Sequence, residues 1–242
     1  MPTRIYYPLL KQSPERFELP SRQSQHLRVL RFGLGESLEV FDGQGLLAVA
    51  HISYIDKKQI QLERGVLQKA PTLLTYPMHL IQALTRHDTM DWIIQKATEL
   101  GVQSITPVIS ERTQGRLKDQ QLTKKMIHWQ EVMISAAEQS HLSILPELRP
   151  LQRLDDFFSC LGTDSPALFI FDPAAEKSID EIHSAPQSSQ IMIGPEGGFT
   201  AAEVKQALAH QAIPLRLHQN ILRAETASIA ALSICQFHFS KK

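Results

Sequence analysis

The hydrophobic positions of the first seventy residues or so fall in short runs rich in β-branched and aromatic side chains: "RIYYP" (4–8), "SLEVFDG" (37–43), "LLAVAHISYI" (46–55) and "QIQLERGV" (59–66). Such runs predict strands, and turn signals such as "DGQG" (42–45) separate them. Between the early strands, "SRQSQHLRVLRFGLG" predicts one helix that starts near Ser21 and stops near Gly33. A small, mostly antiparallel barrel accounts for this part. Two prolines in "QKAPTLLTYP" (68–77) mark a boundary, giving one domain over 1–72 and a second over 73–242.

Beyond the boundary, apolar strands alternate with helices. "MHLIQAL" (78–84) precedes "DTMDWIIQKATELG" (88–101), where Met90, Ile93, Ile94, Ala97 and Leu100 follow helical spacing. Asp88 suits the N-cap of that helix and Gly101 its C-terminal stop. "SITPVIS" (104–110) is the next strand, and Leu122, Met126, Trp129, Met133 and Ala136 mark one face of the next helix. "ALFIFDP" (167–173), "QIMIG" (190–194), a helix from about 201, "LRL" (215–217) and a last helix from about 225 complete the series. Continuous apolar strands alternating with helices specify a parallel sheet covered on both faces.

One connection stands out chemically. In "IMIGPEGGFTAAEV" (191–204), Thr200 and Glu203 form a T-x-x-E capping box, with Phe199 and Val204 at the positions of a hydrophobic staple. "GPEGG" therefore joins a buried strand to a well-specified helix start, at the carboxyl end of a parallel strand where α/β sheets bind ligands. Gly194, Gly197 and Gly198 allow positive φ or close approach of a ligand to the main chain. The loop is neither a Walker loop nor G-x-G-x-x-G, so phosphate and dinucleotide readings fail. The same features also fit an ordinary tight turn with a solvated Glu196. "LRLHQNILRAETASIAAL" (215–232) repeats the design of strand, irregular loop and helix, with Arg223 and Glu225 bracketing the helix start.

Composition narrows the classes. The 242 residues are 43% hydrophobic and carry no net formal charge, which argues against a global basic field. Residues 1–72 hold 10 Lys/Arg against 7 Asp/Glu and the remainder 15 against 18, so the first part is the more anion-facing. Cys160 and Cys235 are too few for a disulfide framework or a cysteine metal site, and the histidines lack ligand spacing, so no metal is expected. The N-terminus lacks a signal-peptide apolar stretch and no apolar run approaches the ~20 residues of a membrane span. A cytoplasmic protein without a membrane partner is the expectation.

Four stretches in order resemble the RsmE family of ribosomal RNA methyltransferases, within the SPOUT superfamily. "HLRVLRFGLGESLEVFDGQG" (26–45) is similar to its PUA-like RNA-binding domain. "MDWIIQKATELGVQSITPVISERT" (90–113) with "AAEQS" (136–140) resembles the start of its catalytic domain; "IGPEGGFTAAE" (193–203) and "ILRAETA" (221–227) resemble its cofactor-site signatures. The resemblance implies a small N-terminal PUA-like β-barrel and a C-terminal SPOUT α/β domain with a deep trefoil knot. It implies a homodimer that uses S-adenosylmethionine to methylate N3 of one uridine in 16S ribosomal RNA of the small ribosomal subunit. Departures from the family pattern fall at His87, at His141 and Leu142 after "AAEQS", and at His218 and Asn220. They leave open a non-catalytic RNA-binding protein that retains the fold.

Within that resemblance, Glu196 and Arg223 are the charged candidates for catalysis. The glutamate would accept the N3 proton or hold the cationic part of the cofactor; the arginine would stabilise the uracil anion or bind phosphate. Ile193, Gly194, Glu196, Gly197, Gly198, Leu217, Ile221, Leu222, Arg223 and Ala227 are the cofactor-binding candidates. For RNA, the candidates are Arg4, Arg28, Arg31, Arg112 and Arg116; Arg28 and Arg31 are three apart on the expected helix and share a face. Tyr6 and Tyr7 are possible base-stacking residues, with strand alternation assigning one of them to the core.

Overall fold

The structure, a computed structural model, describes residues 2–71, 76–113, 119–162 and 164–240. It divides into two units, residues 1–73 with 134–145, and residues 74–133 with 146–242.

In the first unit the runs of apolar residues form β1 (Arg4–Tyr6), β2 (Arg16–Glu18), β3 (Ser37–Phe41), β4 (Leu46–Ile55), β5 (Ile60–Arg64) and β6 (Gln68–Lys69), with helix α1 (Ser21–Val29) after β2. The sheet order is β1-β3-β4-β5-β2, with β6 beside β4; β1 pairs parallel to β3 and every other pair is antiparallel. Along β4, Ala48, Ala50 and Ile52 point inward while Val49 and His51 are exposed, the period of two that a half-buried strand requires. The core joins Ile5, Phe17, Leu27, Val40, Ile52 and Leu62. A second cluster joins Phe41 and Leu47 to Ala137, Leu142 and Leu145, and the Tyr6 N–H donates to Glu138 Oε1 at 2.8 Å. Burial pushes the Glu138 carboxyl above its ordinary pKa, against the pull of that amide and of His26 and Arg22.

The second unit contains β7 (Met78–Ala83), α2 (His87–Glu99), β8 (Ser104–Ile109) and the first part of α3 (Asp119–Ser140). There follow β9 (Glu147–Leu148), β10 (Gln152–Arg153), α4 (Leu154–Ser159), β11 (Ala167–Phe171), β12 (Ser189–Ile193), α5 (Ala201–Ala209), β13 (Ile213–Leu215) and α6 (Ala224–Phe239). The sheet is parallel throughout, in the order β10-β8-β7-β12-β11-β13 with β9 alongside β8. All five residues of β12 are buried, as expected of a central strand. One face packs Ile81, Met192, Leu168 and Ile170 against Phe157 and Phe158 of α4 and Ala207 of α5. On the other, Phe169 stacks on Phe239 of α6 at 5.7 Å, and α6 also packs on α2. Each fully buried Leu, Ile, Met or Phe side chain among these contributes about 1.5–3 kcal/mol.

Helix boundaries depart from the sequence expectation in an instructive way. Arg86, rather than Asp88, occupies the cap position of α2; Asp88 lies in the first turn, where its charge complements the helix dipole. His87 is the first residue of that helix. Helix α1 ends at Val29, not near Gly33, because Arg31 adopts φ 61° and the Phe32 N–H returns to Leu27 O at 3.0 Å. Arg28 and Arg31 therefore do not share a helix face. The same 6→1 closure recurs at Val102 to Ala97 O, Leu142 to Ala137 O and Ala212 to Ala207 O. Only the second of these four ends has glycine, Gly101, in the left-handed position; the others use Arg31, His141 and Gln211.

Candidate active site

Strand register sets Gln82, Ile193, Phe171 and Leu215 in one row across β7, β12, β11 and β13. The chain leaves all four strands at the same carboxyl edge, so "GPEGG" and "ILRAETA" lie on one edge of the sheet, with one strand, β11, between their own strands. This edge is where parallel α/β sheets hold ligands.

The glycines of "GPEGG" have three different reasons. A Cβ on Gly194 would lie 3.1 Å from the backbone of Gly198 and Phe199, so Gly194 lets the loop fold onto itself. A Cβ on Gly197 would lie 3.3 Å from Cδ of Arg112. Gly198 has φ +66°, which glycine adopts without strain, and a Cβ there would meet nothing within 4 Å. Close ligand approach is thus available at Gly198, whereas neighbours within the protein account for the other two. The Gly198 N–H closes the turn onto Pro195 O at 2.8 Å.

The capping box forms as expected. The Glu203 N–H donates to Thr200 Oγ1 at 3.3 Å and the Thr200 N–H to Glu203 Oε2 at 2.8 Å, while Phe199 and Val204 pack on the same cluster. Sequence reasoning missed the other oxygen of Glu203, which accepts the Glu111 N–H at 2.7 Å. Glu196 is exposed, and its Oε1 accepts the Arg86 N–H at 3.0 Å.

At the second loop, Arg223 occupies the cap position of α6 without a side-chain capping bond, and its side chain is exposed. The helix behind it is anchored by the buried Ser228, whose hydroxyl lies 2.6 Å from Gln82 Oε1 on β7 and 2.8 Å from Ala224 O. Leu217, Leu222 and Ala227 line a small pocket together with His218, Asn220 and the turn Phe171–Pro173. That turn was not among the sequence candidates; its signal is the strand end "FDP", which shares the carboxyl edge. His218 and Asn220 therefore stand on the pocket wall, with His218 Nδ1 accepting the Asn220 N–H at 3.0 Å. Ile221 is 84% exposed, whereas Ile193 is 2% exposed and its side chain belongs to the core.

The RNA candidates separate. Arg4 is 4% exposed and paired to Glu39 at 2.6 Å, with Nη2 donating to Ser143 Oγ at 2.8 Å and the guanidinium 4.7 Å above Phe41. Burial lowers its pKa, with Glu39 opposing. Arg4 is thus a structural residue of the first unit, not a phosphate contact. Arg28 is half-buried and donates to Asp56 O at 3.1 Å, while Arg31 is exposed. Arg112 folds onto the glycine loop, donating through Nη1 to Gly197 O at 2.7 Å. Arg116 lies outside the described residues. Tyr6 packs on Phe41 and Tyr7 stacks on Phe17, so both tyrosines serve packing in the first unit. Among the described residues, no group of three or more His, Cys, Asp or Glu is arranged to hold a metal, and no helix is long and apolar enough to cross a membrane.

A parallel α/β unit with this carboxyl-edge loop pair defines an RNA methyltransferase domain: residues 72–236 match the family described as "RNA methyltransferase domain", and residues 19–63 match "RNA methyltransferase PUA domain". Ribosomal RNA small subunit methyltransferase E of Buchnera aphidicola subsp. Schizaphis graminum is 31% identical over 240 residues, covering 98% of this chain and 96% of that protein. The same-named protein of Neisseria gonorrhoeae, solved bound to S-adenosyl methionine, is 32% identical with TM-score 0.89 over 98% of this chain and 97% of that one. A Legionella pneumophila structure in complex with bound SAM is 34% identical with TM-score 0.92, covering 98% of each chain. The chain belongs to the ribosomal RNA small subunit methyltransferase E (RsmE) family.

Proposed function

We propose that this chain transfers a methyl group from S-adenosylmethionine to N3 of one uridine in the 16S ribosomal RNA of the small subunit. The observation that carries the reading is the single row of strand ends, which brings "GPEGG" and "ILRAETA" to one edge of the sheet, where the second loop lines a small pocket of mixed apolar and polar walls. The residues fit the cofactor. Leu217, Leu222 and Ala227 offer apolar contact, and the open side of Gly198 admits close approach. When bound, S-adenosylmethionine supplies the methyl group.

The chain's own part is positioning and proton management. In-line alignment of acceptor and donor supplies much of the acceleration in such transfers. Glu196 is the candidate to take the N3 proton and Arg223 the candidate to stabilise the uracil anion or hold phosphate. Residues 1–72 would hold the RNA, with Arg28 and Arg31 contributing, and 73–242 would hold the cofactor, with the C-terminal loops forming a trefoil knot. A homodimer is part of the proposal: Trp92 on α2 and Ile234 and Phe237 on α6 are 42%, 36% and 65% exposed on two helices that pack together. Exposed apolar groups of this kind suit an interface. The setting is the cytoplasm. Mass spectrometry of 16S ribosomal RNA from cells lacking the protein tests the function: loss of one N3-methyluridine, restored by the purified chain with S-adenosylmethionine, is expected. An unchanged modification pattern rules the function out.

A further inference from the structure

We propose that Arg112 and Glu203 are positioning residues that clasp the "GPEGG" loop from the end of β8, and that position 197 is glycine to admit Arg112 rather than the cofactor. The proposal rests on the reading that this loop holds S-adenosylmethionine.

Strand β8 is not a neighbour of β12; β7 lies between them. After Ile109 the chain forms a locked turn. The Thr113 N–H donates to Ser110 O at 3.1 Å, the Ser110 N–H donates to Thr113 Oγ1 at 3.0 Å, and the two hydroxyls lie 3.0 Å apart. This turn presents two consecutive residues to the glycine loop across the end of β7. The Glu111 N–H meets Glu203 Oε1 at 2.7 Å, and the Arg112 guanidinium meets Gly197 O at 2.7 Å. Arg112 Nη1 also lies 3.5 Å from Phe199 O. From the connection after β7, the Arg86 N–H donates to Glu196. Three tethers from two neighbouring strand ends therefore hold residues 196–203.

Each tether has a physical purpose. Glu203 is 9% exposed, and its second oxygen serves its own helix cap, so one carboxylate joins the cap to the β8 turn. Arg112 gives an ionised donor to a carbonyl in a loop whose two adjacent glycines lose more backbone entropy on ordering than any other residues. Besides Cδ, the Arg112 Cβ would lie 3.5 Å from a Cβ at Gly197, so the whole stem lies against the bare backbone. Gly198, by contrast, faces open space. The direction a side chain would take at Gly197 is filled by Arg112, and the corresponding direction at Gly198 remains open for a ligand.

Hydrogen exchange on the ligand-free full chain tests the clasp without reference to the cofactor. The Gly198 amide, bonded to Pro195 O, should exchange at least tenfold faster in Arg112→Ala than in the parent, with α6 unchanged; equal exchange overturns the clasp. Calorimetry and kinetics then test its consequence. Arg112→Ala should raise the Kd for S-adenosylmethionine about tenfold, which is about 1.4 kcal/mol, a larger change than any fall in turnover at saturating cofactor. Gly197→Ala should weaken binding severalfold in the parent but add less than about twofold in the Arg112→Ala background, because the clash it creates is then gone. Independent effects at the two positions, or an Arg112→Ala protein that loses RNA affinity alone, would overturn the assignment. A parent chain that binds no S-adenosylmethionine contradicts the proposed function, while the exchange result still decides the clasp.

Discussion

The Arg86 N–H donates to Glu196 Oε1 at 3.0 Å across 110 residues of sequence, so the carboxylate proposed for catalysis also ties the ends of β7 and β12 together. Glu196→Gln keeps an oxygen acceptor for that amide and removes charge and basicity. We expect it to lower methyl transfer by roughly 10²-fold with little change in cofactor affinity, the signature of a proton acceptor. Glu196→Ala also loses the tie and should weaken cofactor binding. Normal turnover of the Gln variant across pH would leave Glu196 as a loop tether alone.

Gly198 and Gly194 should fail differently. Gly198→Val places a β-branched side chain at φ +66° and fills the open side of the loop, so S-adenosylmethionine binding should be abolished while the Thr200–Glu203 cap lets the chain fold. Gly194→Ala drives a methyl against backbone at 3.1 Å and should distort the loop before any ligand arrives. Calorimetry and circular dichroism on the two variants check this. A Gly198→Val protein with parental affinity would remove Gly198 from the cofactor wall.

Non-glycine residues in the left-handed position at helix ends carry a cost of roughly 1–2 kcal/mol. Gln211→Gly should therefore raise stability by about 0.5–1 kcal/mol, less than the full cost because glycine also frees the unfolded chain. His141→Gly should act in the same direction. Urea unfolding reads the change; a loss of stability would mean that the side chain makes a stabilising contact larger than the backbone strain.

The arginines of the first unit should divide by burial. Replacing Arg28 and Arg31 with alanine should weaken RNA binding and flatten its salt dependence, since fewer counterions are released, with cofactor affinity within about twofold. Arg4→Ala should instead lower stability by about 3 kcal/mol, because Glu39 loses the partner it meets at 2.6 Å. RNA-binding titrations at several salt concentrations, beside urea unfolding, separate the two outcomes. An Arg4→Ala protein of full stability with weak RNA binding would reverse the assignment.

What the sequence determined by itself are features decided over a few residues. The T-x-x-E box of Thr200 and Glu203, the stop at Gly101 and the buried run of β12 follow from local hydrogen bonding and from the period of the apolar positions. Helix stops without glycine were not legible. At Arg31, His141 and Gln211 the left-handed turn is held by the 6→1 bond of the next residue, and Phe32, Leu142 and Ala212 sit in partly or fully buried positions that only the assembled fold provides. The same holds for the site. Strand order β7-β12-β11-β13 is not chain order, so no local pattern could show that "GPEGG" and "FDP" leave adjacent strands. Arg112 looks in sequence like any arginine of a polar loop. Its partner carbonyl lies 85 residues away, and the Glu203 carboxylate that accepts the Glu111 amide lies 92 away, distances over which only tertiary packing decides which groups meet.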